Sequence, residues 1–372
     1  MVDLHSQYLA VKDQIDAGIL EVLKNTSFIQ GPQVSKFQQE LEAYLDVSHV
    51  IPCANGTDAL QIAMMALSLK PGDEVIVPCF TYVATAEVIA LLGLKPVMVD
   101  VVPDTFMLDL SKVKLAITEK TKAIVPVHLF GQCCPMDELM EIADEYNLYV
   151  IEDTAQALGA KYTSPKSGKT MSAGSIGHIG CTSFFPSKNL GCYGDGGALY
   201  TNDSELAQKI KMIANHGQSK KYHHQLVGVN SRLDSIQAAV LTVKLKNLNE
   251  YEIARQTVAA FYDQKLSELN WLSIPKRVKE SNHVFHQYTL IVSDEIDRDK
   301  LIQYLQDCGI PSMVYYPIPL HLQPAFEQPD LVVGSFPITE KLCKKVISLP
   351  MHTEMNQSQL DYIVSSMKEF KL

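Results

Sequence analysis

Leu148-Tyr-Val-Ile-Glu-Asp153-Thr-Ala-Gln156 decides the fold. An apolar run that ends in two carboxylates and a polar turn reads as a buried strand whose C-terminal end carries chemistry. Short β-rich runs of the same kind stand on either side of it: Val50-Ile-Pro-Cys53, Glu74-Val-Ile-Val77, Pro96-Val-Met-Val99, Ala123-Ile-Val-Pro-Val127, Cys181-Thr-Ser-Phe184 and Ala198-Leu-Tyr200. Amphipathic stretches separate them. Residues 58–69 place Leu60, Ala63, Met64 and Leu67 at helical spacing, and residues 136–146 do the same with Leu139, Ile142 and Ala143. This alternation over residues 50–201 predicts an α/β fold with a mostly parallel sheet covered on both faces. Ligands of such sheets bind beyond the carboxyl ends of the strands. Glu152 and Asp153 must point to opposite faces, so one reaches a ligand and the other caps or pairs elsewhere.

After residue 201 the pattern changes. Residues 204–214 and 233–266 are helical without intervening strands, which suggests a connector leaving the sheet, and a smaller α+β unit is expected from near Asn247. It contains a strand at 287–292, a helix at 298–308, the segment Met313-Val-Tyr-Tyr316 and a final helix at 357–370. The expected division is a large ligand-binding domain, 1–246, and a small C-terminal domain, 247–372.

Composition excludes several classes. The 372 residues are 47% hydrophobic and 20% charged, an ordinary globular balance. With 32 Lys and Arg against 42 Asp and Glu, the net charge is −10 and no basic run occurs, so nucleic acid is not an expected partner. The most apolar window, 83–102, is broken by Glu87, Gly93, Lys95, Pro96 and Asp100, and the acidic start carries no secretory signal, so the expectation is a cytoplasmic protein without a membrane anchor. Eight cysteines without a CxxC spacing read as reduced thiols. His283-Val-Phe-His286 and the His223-His224 pair lack the companions of a metal motif, so no metal is expected.

Two near-motifs fail on inspection. Gly168-Lys169-Thr170 lacks the upstream glycine of a phosphate-binding loop, and Ala173-Gly174-Ser175-Ile176-Gly177 lacks the first glycine of a nucleophile elbow. More informative is Ser183-Phe-Phe-Pro-Ser-Lys188-Asn-Leu-Gly-Cys-Tyr-Gly-Asp-Gly-Gly197. A lysine between an apolar strand and a glycine cluster sits in a tight loop, where burial favours the neutral amine that a Schiff base needs; the alternative is a surface lysine in a flexible loop. Asp153 lies 35 positions earlier at a strand end. A carboxylate there suits pyridoxal phosphate, because it keeps the pyridine nitrogen protonated; otherwise it is a helix cap or a metal ligand. Cys53-Ala-Asn-Gly56-Thr57-Asp58 is a strand leading into a helix N-terminus, an anion cradle or a plain cap. Tyr82, in Phe80-Thr-Tyr-Val, either stacks on a flat ring or belongs to the core.

Ala54-Asn-Gly-Thr-Asp-Ala-Leu60, Phe80-Thr-Tyr-Val-Ala-Thr-Ala-Glu87, Val127-His-Leu-Phe-Gly131, Glu152-Asp-Thr-Ala-Gln-Ala157, the stretch from Ser183 to Gly197, Asn230-Ser-Arg-Leu-Asp-Ser-Ile-Gln-Ala238 and Tyr316-Pro-Ile-Pro-Leu320 together resemble the successive motifs of the DegT/DnrJ/EryC1/StrS sugar aminotransferases. The resemblance implies an aspartate-aminotransferase-like (type I) fold and a homodimer with pyridoxal 5′-phosphate attached to Lys188. It further implies Asp153 at the pyridine nitrogen, Gln156 at the ring hydroxyl and Tyr82 over the ring face. Gly56, Thr57 and Ser183 would hold the phosphate, with Asn230 arriving from the partner subunit. Tyr222-His-His224 and Gly228-Val-Asn-Ser-Arg-Leu-Asp234 are similar to the bacterial enzymes that aminate C3 of UDP-2-acetamido-2-deoxy-3-oxo-glucuronic acid for O-antigen synthesis. That likeness implies L-glutamate and a UDP-linked oxo-sugar as substrates. Arg232, His223, His224, Tyr315 and Tyr316 are then candidate substrate contacts, against the alternative that Arg232 only pairs with Asp234. Two other activities stay open: amination of a 4-oxo sugar, and a regulatory protein that kept the fold without chemistry. A dehydratase of the same fold is set aside, since such relatives carry His in place of Lys188.

Overall fold

The computed structural model describes residues 1–371. Nine strands fall within the first 201 residues: β1 His49–Cys53, β2 Glu74–Pro78, β3 Lys95–Val99, β4 Thr121–Ile124, β5 Tyr149–Asp153, β6 Lys161–Thr163, β7 Thr170–Ser172, β8 Ile179–Ser183 and β9 Gly197–Thr201. Seven of them form one sheet in the order β1-β9-β8-β5-β4-β2-β3. The strands from β8 to β3 run parallel, and β9 is inserted antiparallel to both of its neighbours. β6 and β7 form a separate hairpin.

The side-chain alternation of each strand sorts residues between two apolar layers. Val75, Val77, Ile151, Ile179 and Leu199 pack on one face with helices α3 (Gly56–Ala66), α4 (Ala84–Leu91) and α7 (Ser204–Ala214). Ile76, Ile124 and Val150 pack on the other with α5 (Leu110–Ala116) and α6 (Met136–Tyr146). Two N-terminal helices, α1 Leu4–Asn25 and α2 Pro32–Leu45, pack against α8 (Ser235–Leu245). The next helix, α9 Leu248–Leu266, opens a third core, which it shares with α10 (Arg298–Asp307), α12 (Gln357–Glu369) and the three-stranded sheet β12 Leu272–Ser273, β13 Tyr288–Val292 and β14 Val346–Leu349. The chain returns to the large sheet before β14. Leu320, Phe326 and Phe336 join its first layer. The N-terminus of α11 (Pro337–Lys345) is capped by buried Asp100, which accepts from the backbone N–H groups of Ile338 at 3.0 Å and Thr339 at 2.8 Å.

Two local expectations need correction. β4 stops at Ile124 rather than Val127, because Pro126 has no N–H for the ladder, and pairing resumes only as the single bridge Val127–Asp153. The helical stretch 233–266 is broken at residues 246–247 into α8 and α9. Met313-Val-Tyr-Tyr316 makes one isolated bridge, from Met313 to Ser348. Residues 217–225 form the small exposed hairpin β10 Gln218–Lys220 and β11 His223–His224; two such short strands buried on neither face leave no period-2 signal.

Candidate active site

The carboxyl ends of the parallel strands open into a cavity of about 660 Å³. The turn after β1 brings Asn55, Gly56 and Thr57 to its floor. Asn55 Oδ1 caps α3 by accepting from Asp58 N at 2.8 Å, while the first helical N–H groups, of Gly56 and Thr57, have no acceptor within the helix. A Cβ on Gly56 would lie 2.7 Å from Ser183 Cβ, so glycine lets the end of β8 close against this turn. Ser183 Oγ accepts from Phe185 N at 3.2 Å, which leaves its own proton free to donate.

Lys188 follows β8 in a turn closed by its N–H on Phe185 O at 2.8 Å. Burial pulls its ammonium down to about 8, against the opposing attraction of Asp153. The loop beyond it is pinned from α8, where buried Lys244 donates to Gly191 O at 2.6 Å. Asp153 ends β5 on the cavity side and accepts from Ala155 N at 3.0 Å and Thr85 Oγ1 at 3.1 Å. Burial outweighs these bonds and the charge of Lys188, and its carboxyl is pushed above the usual range.

Gln156 is held at both ends. Its Oε1 accepts from Phe130 N at 2.8 Å, and its Nε2 donates to Tyr316 Oη at 3.0 Å. Tyr82 stands at the mouth, 56% exposed, with its ring 6.1 Å from that of Tyr316, while Tyr315 lines the same wall. The donor set fits pyridoxal phosphate. Backbone N–H groups and a hydroxyl suit a phosphate, a buried carboxylate suits a protonated ring nitrogen, and a partly neutral amine suits an aldehyde.

Four predicted contacts do not line this cavity within one chain. Asn230 is exposed and bridged to Asn215. His223 and His224 lie on the exposed hairpin, with His224 Nδ1 2.8 Å from His216 O. Arg232 lines a different cavity of about 590 Å³, beside His49 and Lys211, and among the described residues it makes no ion pair with Asp234. Two lining residues, His286 and Gln287, were not anticipated as ligand contacts. The signal at His286 was a histidine without metal-ligand companions; only the packing of the C-terminal unit on the sheet brings it here.

The family model of the DegT/DnrJ/EryC1/StrS aminotransferases matches residues 10–368. A protein of Geobacillus stearothermophilus named "Pleiotropic regulatory protein" is 46% identical over 100% of this chain and 98% of its own. The "UDP-2-acetamido-2-deoxy-3-oxo-D-glucuronate aminotransferase" of Pseudomonas aeruginosa is also 46% identical, over 98% of each chain. The crystal structure of NtdA from Bacillus subtilis, with bound cofactor PMP, superimposes with a TM-score of 0.87 at 33% identity, covering 96% of this chain and 81% of that one. Ordered motifs, cavity chemistry and whole-chain similarity agree: this chain belongs to the DegT/DnrJ/EryC1/StrS aminotransferase family and is a pyridoxal-phosphate-dependent transaminase of the type I fold.

Proposed function

We propose that this transaminase moves an amino group from L-glutamate to C3 of a UDP-linked, N-acetylated 3-oxo-hexuronic acid. On this reading it works in the cytoplasm of a bacterium building a surface polysaccharide such as O-antigen. It acts as a homodimer whose sites are completed across the two-fold axis, each subunit dividing into domains at residues 246 and 247. The observation that carries the chemistry is one cavity holding a half-buried, easily neutralised Lys188 together with Asp153 and the Gly56-Thr57 helix terminus. The substrate rests on the Pseudomonas relative's name and the motif similarity over residues 222–234.

Bound here, pyridoxal phosphate supplies a conjugated ring that takes up the electrons left on carbon when a proton departs. The chain's residues do the rest. Gly56 and Thr57 N–H and the Ser183 hydroxyl hold the phosphate, with Asn230 added from the partner. Asp153 faces the ring nitrogen, Gln156 the ring hydroxyl, and Tyr82 covers the ring. Lys188 would anchor the cofactor and, when free, would carry a proton from the donor's Cα to C4′ of the cofactor, then from C4′ to the sugar carbon in the second half-reaction. Arg232, His223 and His224 serve the nucleotide from the partner subunit, and Tyr315 and Tyr316 face the sugar. The regulatory name of the Geobacillus relative does not displace this reading, because the chain keeps Lys188, Asp153 and Gln156 around one cavity.

The test is a substrate panel. Purified holoenzyme with L-glutamate is offered UDP- and dTDP-linked 3-oxo and 4-oxo sugars, and products are identified by mass spectrometry. The expected product is the 3-amino UDP-hexuronate; preference for a 4-oxo sugar overturns the C3 assignment and leaves transamination standing.

A further inference from the structure

Lys244, on α8, is 1% exposed, and among the described residues it forms no ion pair. A buried ammonium without a carboxylate is costly, and its contacts must offset that cost. Its Nζ donates to Gly191 O at 2.6 Å and stands 5.4 Å from the centre of the Tyr193 ring, whose π face favours a cation. Both partners belong to the glycine-rich loop that follows Lys188. Gln237 lies two helical turns earlier on the same face of α8 and pairs with the backbone of that loop. Its Oε1 accepts from Tyr193 N at 2.8 Å, and its Nε2 donates to Tyr193 O at 3.3 Å.

These anchors reach the catalytic lysine through backbone contacts. The loop is closed by Cys192 N on Phe184 O and by Lys188 N on Phe185 O, both at 2.8 Å. A Cβ on Gly191 would lie 2.3 Å from Pro186 O and 2.8 Å from Phe185 O, so Gly191 rests directly on the turn whose carbonyl receives the Lys188 N–H. The carbonyl of Gly191 itself goes to Lys244. Elsewhere in the loop Leu190 and Cys192 bury their side chains in the neighbouring core, and Asn189 donates to Val284 O at 3.1 Å. Gly191 and Gly194 contribute no side chain and widen the freedom of the backbone, so their stretch is fixed by polar contacts from α8. Without the Lys244 ammonium the Gly191 carbonyl would be unpaired in the interior, and water would have to follow it. Water at that turn also reaches Lys188, whose amine is easily neutralised because burial disfavours its charge.

We propose that Lys244 and Gln237 are positioning residues for Lys188: from one face of α8 they clamp the glycine loop and keep the reactive amine in the cavity, shielded from bulk water. Neither residue lines the cavity. The proposal rests on the aminotransferase reading for the role of Lys188.

The experiment labels the full chain, freed of cofactor, with cyanate between pH 6 and 11 and follows Lys188 by peptide mass spectrometry in wild type, Lys244→Met and Gln237→Leu. The half-maximal pH reports the charge on the amine, independently of how fast the reagent enters. In both variants it should rise from near 8 towards the value of about 10.4 of a lysine in an unstructured peptide. Tyr262→Phe is the control. It removes a buried 3.0 Å bond to Pro350 O in the core of the C-terminal unit, and should lower the melting temperature without moving Lys188. In holoenzyme, single-turnover formation of 2-oxoglutarate from glutamate should slow about tenfold or more in Lys244→Met, as expected when a reacting group is misplaced. An unmoved Lys188 midpoint in either variant, an equal rise in the control, or an unchanged single-turnover rate overturns the proposal. If Lys244→Met does not fold, Gln237→Leu decides in its place. Failure of the aminotransferase reading is seen separately, as wild-type protein that binds no cofactor and forms no 2-oxoglutarate from glutamate.

Discussion

Glu152 and Asp153 follow one another in β5, yet their carboxylates occupy opposite environments. Glu152, fully buried on one face of the sheet, accepts from the backbone N–H groups of Gly174 (2.8 Å), Ile176 (2.8 Å) and Gly177 (2.5 Å) and faces His128 Nε2 at 2.8 Å. Asp153 turns to the cavity with two donors. Period-2 alternation assigns one carboxylate to holding the fold and its neighbour to the site.

Glu152→Gln should therefore cost stability rather than chemistry alone. The amide NH₂ would face donors that now converge on an anion, and His128 would lose its charged partner. Urea unfolding of the apoprotein is expected to show a loss of about 3–5 kcal/mol, typical of breaking a buried charged pair. A loss below about 1 kcal/mol would show that the loop over residues 174–177 does not depend on the charge.

Asp153→Asn should do the reverse. Burial raises this carboxyl's pKa in the folded protein, so its contribution to stability is present below the unfolded value and is lost as pH rises. At neutral pH the asparagine apoprotein should melt at the same temperature as wild type or higher. Its turnover should nevertheless fall roughly a hundredfold or more, since the charge opposite the ring nitrogen is gone. Near-normal turnover would mean that another acid holds the nitrogen.

Lys188 in the apoprotein should be unusually reactive at neutral pH. With its pKa pulled to about 8, roughly a tenth of the amine is neutral at pH 7, against less than about a thousandth for an ordinary lysine. The neutral fraction grows as pH rises. Cyanate labelling followed by peptide mass spectrometry between pH 6 and 11 should give a half-maximal rate near 8 for Lys188, against about 10.4 for the lysine of an unstructured model peptide. Coincident profiles would refute the assignment.

Thr85→Val removes a hydroxyl that donates to Asp153 Oδ2 at 3.1 Å. That bond lowers the Asp153 pKa, so its loss should raise it further and leave less of the carboxylate ionised. The acid limb of the kcat profile should move to higher pH while the melting temperature changes little. An unmoved limb would separate Thr85 from the function of Asp153.

The composite site is tested by mixing subunits. Asn230 is exposed in the single chain and outside its own cavity, as expected for a residue that serves the partner. Lys188→Ala and Asn230→Asp homodimers should each be impaired. Random re-pairing makes half the dimers mixed, each with one intact site, so activity should rise towards about a quarter of wild type. No rise, once mixed dimers are confirmed by mass spectrometry, would return Asn230 to its own subunit.

The amino-acid sequence by itself determined the layered α/β architecture and the cofactor floor, because both are written in local signals. Strand runs, the helical spacing of 136–146 and 204–214, and the strand–turn–helix of Asn55-Gly56-Thr57 are each contained in a dozen residues. Asp153 and Ser183 could be placed at strand ends, and Gln156 and Lys188 in the turns beyond them, for the same reason. Only the tertiary structure decided that β9 enters antiparallel, that Gln156 is clamped between Phe130 and Tyr316, and that His286 and Gln287 enter the cavity from the C-terminal unit. Gln156 and Tyr316 lie 160 positions apart. Contacts at that separation leave no periodicity in the chain; they arise when burial of whole apolar faces docks one unit on another, which sets which side chains share the cavity.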